Sequence, residues 1–236
     1  MTAVRLAAND PGCATPRCMA CAAREVAVCA SFTDGALSAL HAIGRRRTLH
    51  AGQVLMWAGD PSSVCANLVS GVLKVVREDL DGRTQIVGLL FPGDFVGELF
   101  VEQASETVIA LVDADLCLYS RRALEPALTA QPGAEALLLR QAMGTLTEAR
   151  RWMLMLGRRH APEKVAAFLL DMHRRLGTGD QVELPMGRGA VGEILGLTIE
   201  TVSRQMTALK SAGLIALPGG RQVRLLDPAG LARIAG

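Results

Sequence analysis

Hydrophobic and polar positions change period along the chain. From residue 48 to 120 the apolar residues fall in short runs of strand length, punctuated by Gly52, Gly59, Gly71, Gly82 and Gly93, the spacing of an antiparallel sandwich or barrel. Asp81-Gly82 is the clearest hairpin turn, lying between the runs 71–76 and 84–90, because Gly in second place takes the positive φ that a tight turn needs. Phe91-Pro92-Gly93-Asp94 predicts the next turn. From Gly133 to Arg159 the pattern is helical: no Pro, many Ala, Leu, Met, Glu and Arg, and one internal Gly144. Pro162 suits the first turn of another helix, with Val165, Phe168, Leu169, Met172 and Leu176 along one face and Gly177 as its stop. Two shorter helices are predicted around 190–195 and 199–211, then a hairpin of 214–217 and 222–226 about Pro218-Gly219-Gly220.

Within the long helix, Leu139, Ala142, Leu146, Ala149, Met153 and Leu156 step alternately by three and four residues, the a/d seam of a two-stranded coiled coil. Such a seam predicts a homodimer, while Leu138 and Leu154, off the seam, offer a separate patch for packing on the protein's own β domain. The expected organisation is a cysteine-rich segment (1–30), a β domain (31–131), a dimerisation helix (132–160) and a C-terminal domain (161–236).

In "GEILGLTIETVSRQMTALK" a helix, a tight turn at Gly196 and a second helix capped by Thr198 follow one another. Val202, Met206 and Leu209 share one face of that second helix, and Glu200, Ser203, Arg204 and Thr207 share another. One face docks, leaving the other outward, as a winged helix-turn-helix requires. The outward groups suit base edges in a major groove: Arg204 for guanine O6/N7, Glu200 for cytosine N4, Ser203 as an adaptable partner. Lys210, Arg221 and Arg224 are assigned to phosphates or water.

Charge adds a direction. The 25 Lys plus Arg against 23 Asp plus Glu give a formal net charge of only +2, but basic residues gather in the second half, at Arg150-Arg151, Arg158-Arg159, Arg174-Arg175 and from Arg204 to Arg233. Aromatic residues are 3% of the chain, too few for stacking single-stranded bases, so duplex DNA is the expected ligand. No apolar run reaches membrane-spanning length and no basic-then-apolar leader opens the sequence, which predicts a soluble cytoplasmic protein without a membrane partner. No phosphate loop, nucleophile–base motif or open zinc motif points to an enzyme, and His41, His50, His160 and His173 are scattered.

Four of the six cysteines lie in "CATPRCMACAAREVAVC", residues 13–29. In a reducing compartment a tight cluster points to metal or redox chemistry rather than to a disulfide scaffold. Cys18-x2-Cys21-x7-Cys29 offers three thiolates, and Cys117, in "ADLCLYS", offers a fourth; Cys13 is an alternative ligand, and zinc on Cys13, Cys18, Cys21 and Cys29 is the rival to iron and sulfide. Cys117 is otherwise a small core residue, and Cys65 is read as core.

Over nearly its full length the chain resembles the CRP/FNR family of bacterial transcription regulators. "GDFVGEL" (93–99) is similar to the family's β-roll signature, and "LGLTIETVSR" (195–204) to its recognition helix. The resemblance implies an α+β protein with an N-terminal β-roll like a cyclic-nucleotide-binding domain, a long dimerisation helix and a C-terminal winged helix-turn-helix. Glu200, Ser203 and Arg204 resemble the E-x-x-S-R reader of the FNR branch, implying a two-fold site related to TTGAT…ATCAA and a role in transcription with RNA polymerase. The cyclic-AMP-binding members carry an Arg-Ser pair where this chain has Ser105 and Glu106, and an acid there repels a phosphate. The cysteines are similar to those of FnrL-type oxygen-sensing regulators. That likeness implies a [4Fe–4S] cluster on Cys18, Cys21, Cys29 and Cys117, and an activator of anaerobic metabolism. The alternative is a regulator of the same fold without a cluster: zinc-bound, small-molecule-responsive or constitutive.

Overall fold

The computed structural model describes residues 18, 21, 23–78, 81–82, 84–131 and 133–236; Cys13 lies outside them. The chain divides into two compact units, residues 1–73 with 90–143 and residues 74–89 with 144–236.

In the first unit a 3₁₀ turn (Val28–Ser31) leads into α1 (Asp34–Ile43), whose first turn is capped by the Thr33 hydroxyl accepting from the Ala36 N–H. Along the chain the strands follow as β1 (Gly44–Leu49), β2 (Val54–Met56), β3 (Val64–Ser70), β4 (Leu73–Glu78), β5 (Thr84–Leu90), β6 (Phe95–Val96), β7 (Thr107–Ala110) and β8 (Ala114–Ser120), of which β4 and β5 fall, but for Leu73 and Leu90, in the residues of the second unit. The Asp81-Gly82 turn joins β4 to β5 as predicted, with Gly82 at φ +77°. One sheet has the order β1-β8-β3-β6; elsewhere β2 pairs with β7, and β4 lies beside β5.

Strand residues alternate between faces, and the first sheet uses both. Leu68 and Leu116 point inward and join Leu49, Leu55, Leu73, Val96, Val108 and Ala110 in a buried core. Cys65 and Tyr119 point the other way and join Val28, Leu37, Leu40, Leu124, Leu128 and Ala134 in a second core. That second face is covered by α1 and by α2 (Arg121–Thr129), neither of which the hydrophobic pattern singled out. Both helices are short, and α2 carries Pro126, so their periodicity is too brief to separate from loop.

α3 (Ala134–Arg158) is the predicted long helix. Its start enters the second core through buried Ala134 and half-buried Leu138. The seam residues Leu139, Ala142, Leu146, Met153 and Leu156 are exposed, Leu139 at 64% and Met153 at 69%, while Ala149 is half-buried. Leu154 does not pack as expected: it is 60% exposed, and Met155 is the buried residue. One helical position is a rotation of about 100°, enough to exchange the two roles.

In the second unit α4 (Ala161–Leu176) buries Val165, Phe168, Leu169 and Met172, each at no more than 1% exposure. Each such side chain contributes about 1.5–3 kcal/mol of burial. Its first turn is closed by Glu163 accepting from the His160 N–H at 3.2 Å. Asp171, buried on α4, accepts from Arg151 on α3 at 2.9 Å and from Arg175 at 3.0 Å, and Glu148 accepts from Arg151 at 2.6 Å and Arg175 at 2.8 Å. These ion pairs join the C-terminal half of α3 to α4. The unit continues with β9 (Gln181–Glu183), α5 (Arg188–Leu195), α6 (Ile199–Ser211), β10 (Ile215–Gly219), β11 (Gln222–Leu225) and α7 (Pro228–Ala235). β10-β11-β9 form a small antiparallel sheet, with one strand more than the predicted hairpin. Among the described residues no helix is long and apolar enough to cross a membrane.

Candidate functional site

α5 and α6 form the helix-turn-helix. Gly196 ends α5 in the left-handed region at φ +61°, as Gly does most readily. Gly192 is required for a different reason: a Cβ there would stand 2.5 Å from the Leu197 carbonyl oxygen, so the turn closes only over a bare backbone. Thr198 then caps α6, its hydroxyl accepting from the Thr201 N–H at 3.2 Å. Val202, Met206 and Leu209 are buried at 1–4% exposure, whereas Glu200, Arg204 and Thr207 are exposed and Ser203 is half-buried. The geometry leaves Glu200, Ser203 and Arg204 on one outward helix face. Glu200 lies in the first turn, where its own backbone N–H and then the Thr198 hydroxyl hold its carboxyl below the usual range, ionised and accepting. Arg221 and Arg224 are turned partly inward: Arg221 donates to the Pro185 carbonyl at 3.2 Å, and Arg224 lies 3.5 Å from Asp180.

A second site lies in the first unit. Cys18, Cys21, Cys29 and Cys117 line one cavity, together with Arg46, Asn67 and Tyr119. The strand register explains this grouping. Cys117 stands directly opposite Asn67 on β3 and Arg46 on β1, and Tyr119 two residues on faces the same way. Cys29 reaches that face from the 3₁₀ turn: Asn67 Nδ2 donates to its Sγ at 3.4 Å, and the Tyr119 hydroxyl donates to Cys117 Sγ at 3.2 Å and lies 4.0 Å from Cys29 Sγ. All four thiols are half-buried, and Cys65 is fully buried in the core.

Burial pushes the Cys29 thiol up to about 11, the Tyr119 hydroxyl partly offsets this, and Cys117, Cys18 and Cys21 raise it further. Burial also raises Tyr119, which therefore keeps its proton and stays a donor. Four thiolates on one low-dielectric cavity repel one another unless cationic charge stands between them. Among the described residues no three His, Cys, Asp or Glu side chains are close enough to share a single metal ion. Arg46, Asn67 and Tyr119 were not identified from sequence as part of a site; the one available signal was a polar Asn inside the apolar strand "VCANLV".

The segment after "GDFVGEL" is closed on itself. Glu98 accepts from the Ser105 N–H at 2.9 Å and from the Ser105 hydroxyl. The Glu98 carboxylate is thus occupied from within.

Two families account for most of the folded chain: a cyclic nucleotide-binding domain matches residues 46–131, and a Crp-like helix-turn-helix domain matches residues 163–234. The chain is 39% identical to the transcriptional activator protein FnrL of Cereibacter sphaeroides over 93% of its own length and 92% of that protein. It is 36% identical to the nitrogen fixation regulation protein FixK of Bradyrhizobium diazoefficiens, over 92% and 93% of the two chains. The solved structure of FixK2 from Bradyrhizobium japonicum superposes with a TM-score of 0.77 at 31% identity, covering 82% of this chain and 98% of that one. With β-roll strands, a long helix, a capped outward reading helix and near full-length similarity to such regulators, the chain belongs to the CRP/FNR family of DNA-binding transcription regulators.

Proposed function

We propose that this protein is an oxygen- or redox-responsive transcriptional activator that binds a two-fold site related to TTGAT…ATCAA as a homodimer and carries a [4Fe–4S] cluster as its sensor. The observation that supports the sensor is the convergence of four thiols, three from residues 18–29 and one from β8, on one cavity. The donor set fits in number and kind. Four thiolate donors are what such a cluster would require of the protein. Cys18, Cys21, Cys29 and Cys117 would hold it, and it would supply a redox-labile crosslink between the N-terminal segment and the β-roll.

The chain's own residues offer a route from that cavity to the dimer seam. Cys18, Cys29 and Cys117 pack against the same core that receives Ala134 and Leu138 of α3. Gln141 Nε2, one turn further along α3, donates to the Val26 carbonyl at 3.3 Å. Anchoring residues 18–29 therefore anchors the N-terminal half of α3. The exposed stripe of Leu139, Leu146, Met153 and Leu156 would then be covered by the same helix of a second copy. At the reader, Arg204, Glu200 and Ser203 face base edges, and a two-fold dimer presents two such helices to the two half-sites. Promoter activation implies a contact with RNA polymerase.

The test is purification without air, analysis for iron and acid-labile sulfide, and a visible spectrum before and after oxygen. The expected result is about four irons and four sulfides per chain, a broad absorption bleached by air, and loss of half-site binding on bleaching. A colourless protein with stoichiometric zinc, or a metal-free protein with unchanged DNA affinity, overturns the sensor reading and leaves the family assignment standing.

A further inference from the structure

We propose that Asn67 and Tyr119 are positioning residues for the sensor, donating hydrogen bonds to the sulfurs of Cys29 and Cys117 and so setting how fast dioxygen destroys the cluster. This assignment rests on the [4Fe–4S] reading above.

Asn67 is 1% exposed in the middle of β3, in an otherwise apolar run. Its Nδ2 donates to Cys29 Sγ, and its Oδ1 is buried without a partner among the described residues. A buried amide with one polar atom unsatisfied destabilises the fold relative to a fully paired one, so an apolar residue of the same branched shape serves the fold better. What Asn67 supplies that an apolar residue cannot is a donor aimed at sulfur. Tyr119 stands in the same relation to Cys117, 3.2 Å away and 3% exposed. Both side chains come from strands locked in register, Asn67 opposite Cys117 and Cys65 opposite Tyr119, so the donors are fixed by the sheet.

A donor to a ligating thiolate draws electron density from its sulfur and raises the reduction potential of the attached iron. Loss of one electron from the cluster to dioxygen, which is reduced to superoxide, then becomes less favourable. Removing either donor leaves all four thiols in place while making that electron easier to lose.

The experiment compares wild type, Tyr119→Phe and Asn67→Leu, each purified without air. Tyr119→Phe removes one hydroxyl and keeps the ring; Asn67→Leu replaces the amide oxygen and nitrogen by two methyls on the same branched skeleton and abolishes the orphaned oxygen, so folding is retained. The expected outcome is full iron and sulfide content in all three, a shifted iron–thiolate stretching band in the Raman spectrum of both variants, and air bleaching at least threefold faster. Equal bands and equal bleaching rates in fully loaded variants overturn this assignment and leave the cluster reading intact. A wild type without iron and sulfide overturns both.

Discussion

The two regions proposed to act in this molecule are built in opposite ways. The face proposed to read DNA is a single helix, Ile199–Ser211, in which cap, buried stripe and outward groups lie within one short stretch. The cysteine cavity gathers residues from the N-terminal segment, β1, β3 and β8, and its Cys29–Tyr119 approach spans 90 positions. A helix face repeats every 3.6 residues whatever surrounds it, whereas the cavity exists only once strands pair in one register. Substitutions should therefore act locally on the reader and globally on the cavity.

The largest expected effect is at the cavity. Cys29→Ser or Cys117→Ser should abolish anaerobic iron and sulfide binding while far-UV circular dichroism stays unchanged; retained cofactor in Cys117→Ser would turn attention to Cys13. Next is the joint between α3 and α4. Burial by itself raises the Asp171 carboxyl, but Arg175, Arg174 and Arg151 overcome this and hold it below the ordinary 3.8. With the folded value depressed, its contribution is complete above the ordinary carboxylate range and is lost as pH falls through the folded value. Asp171→Ala should cost about 2–3 kcal/mol in urea unfolding at pH 7, and the difference from wild type should vanish in acid. A constant difference across pH would mean that packing, not charge, joins α3 to α4.

At the reader the effects are smaller and separable. Arg204→Ala should weaken binding to a guanine-bearing half-site by about 1–3 kcal/mol, read by fluorescence anisotropy on specific and random duplexes at one salt concentration. An equal loss on both would recast Arg204 as a phosphate contact. The smallest effect belongs to the cap. Thr198→Ala should lower stability by about 1 kcal/mol, measured by thermal unfolding, and leave the cavity's cofactor content unchanged. A change in cofactor content would show that the two regions are not independent.

Whatever repeats at short range was legible along the chain. The hairpin at Asp81-Gly82, a long helix read over Gly133 to Arg159 and found as Ala134–Arg158, the Gly196 turn, the Thr198 cap and the split of α6 into a buried and an outward face are all of this kind. Each depends on φ/ψ preferences or on a period within a few turns, which neighbouring residues set alone. Which residues meet across strands was settled by pairing and packing. Asn67 and Tyr119 came to face Cys29 and Cys117, Arg46 came opposite Cys117, and Ser105 closed on Glu98. The side on which α3 buries Met155 rather than Leu154 was likewise settled by packing. These are register and rotation, fixed by burying one face of each element against another, and a one-dimensional pattern holds no term for the element on the other side.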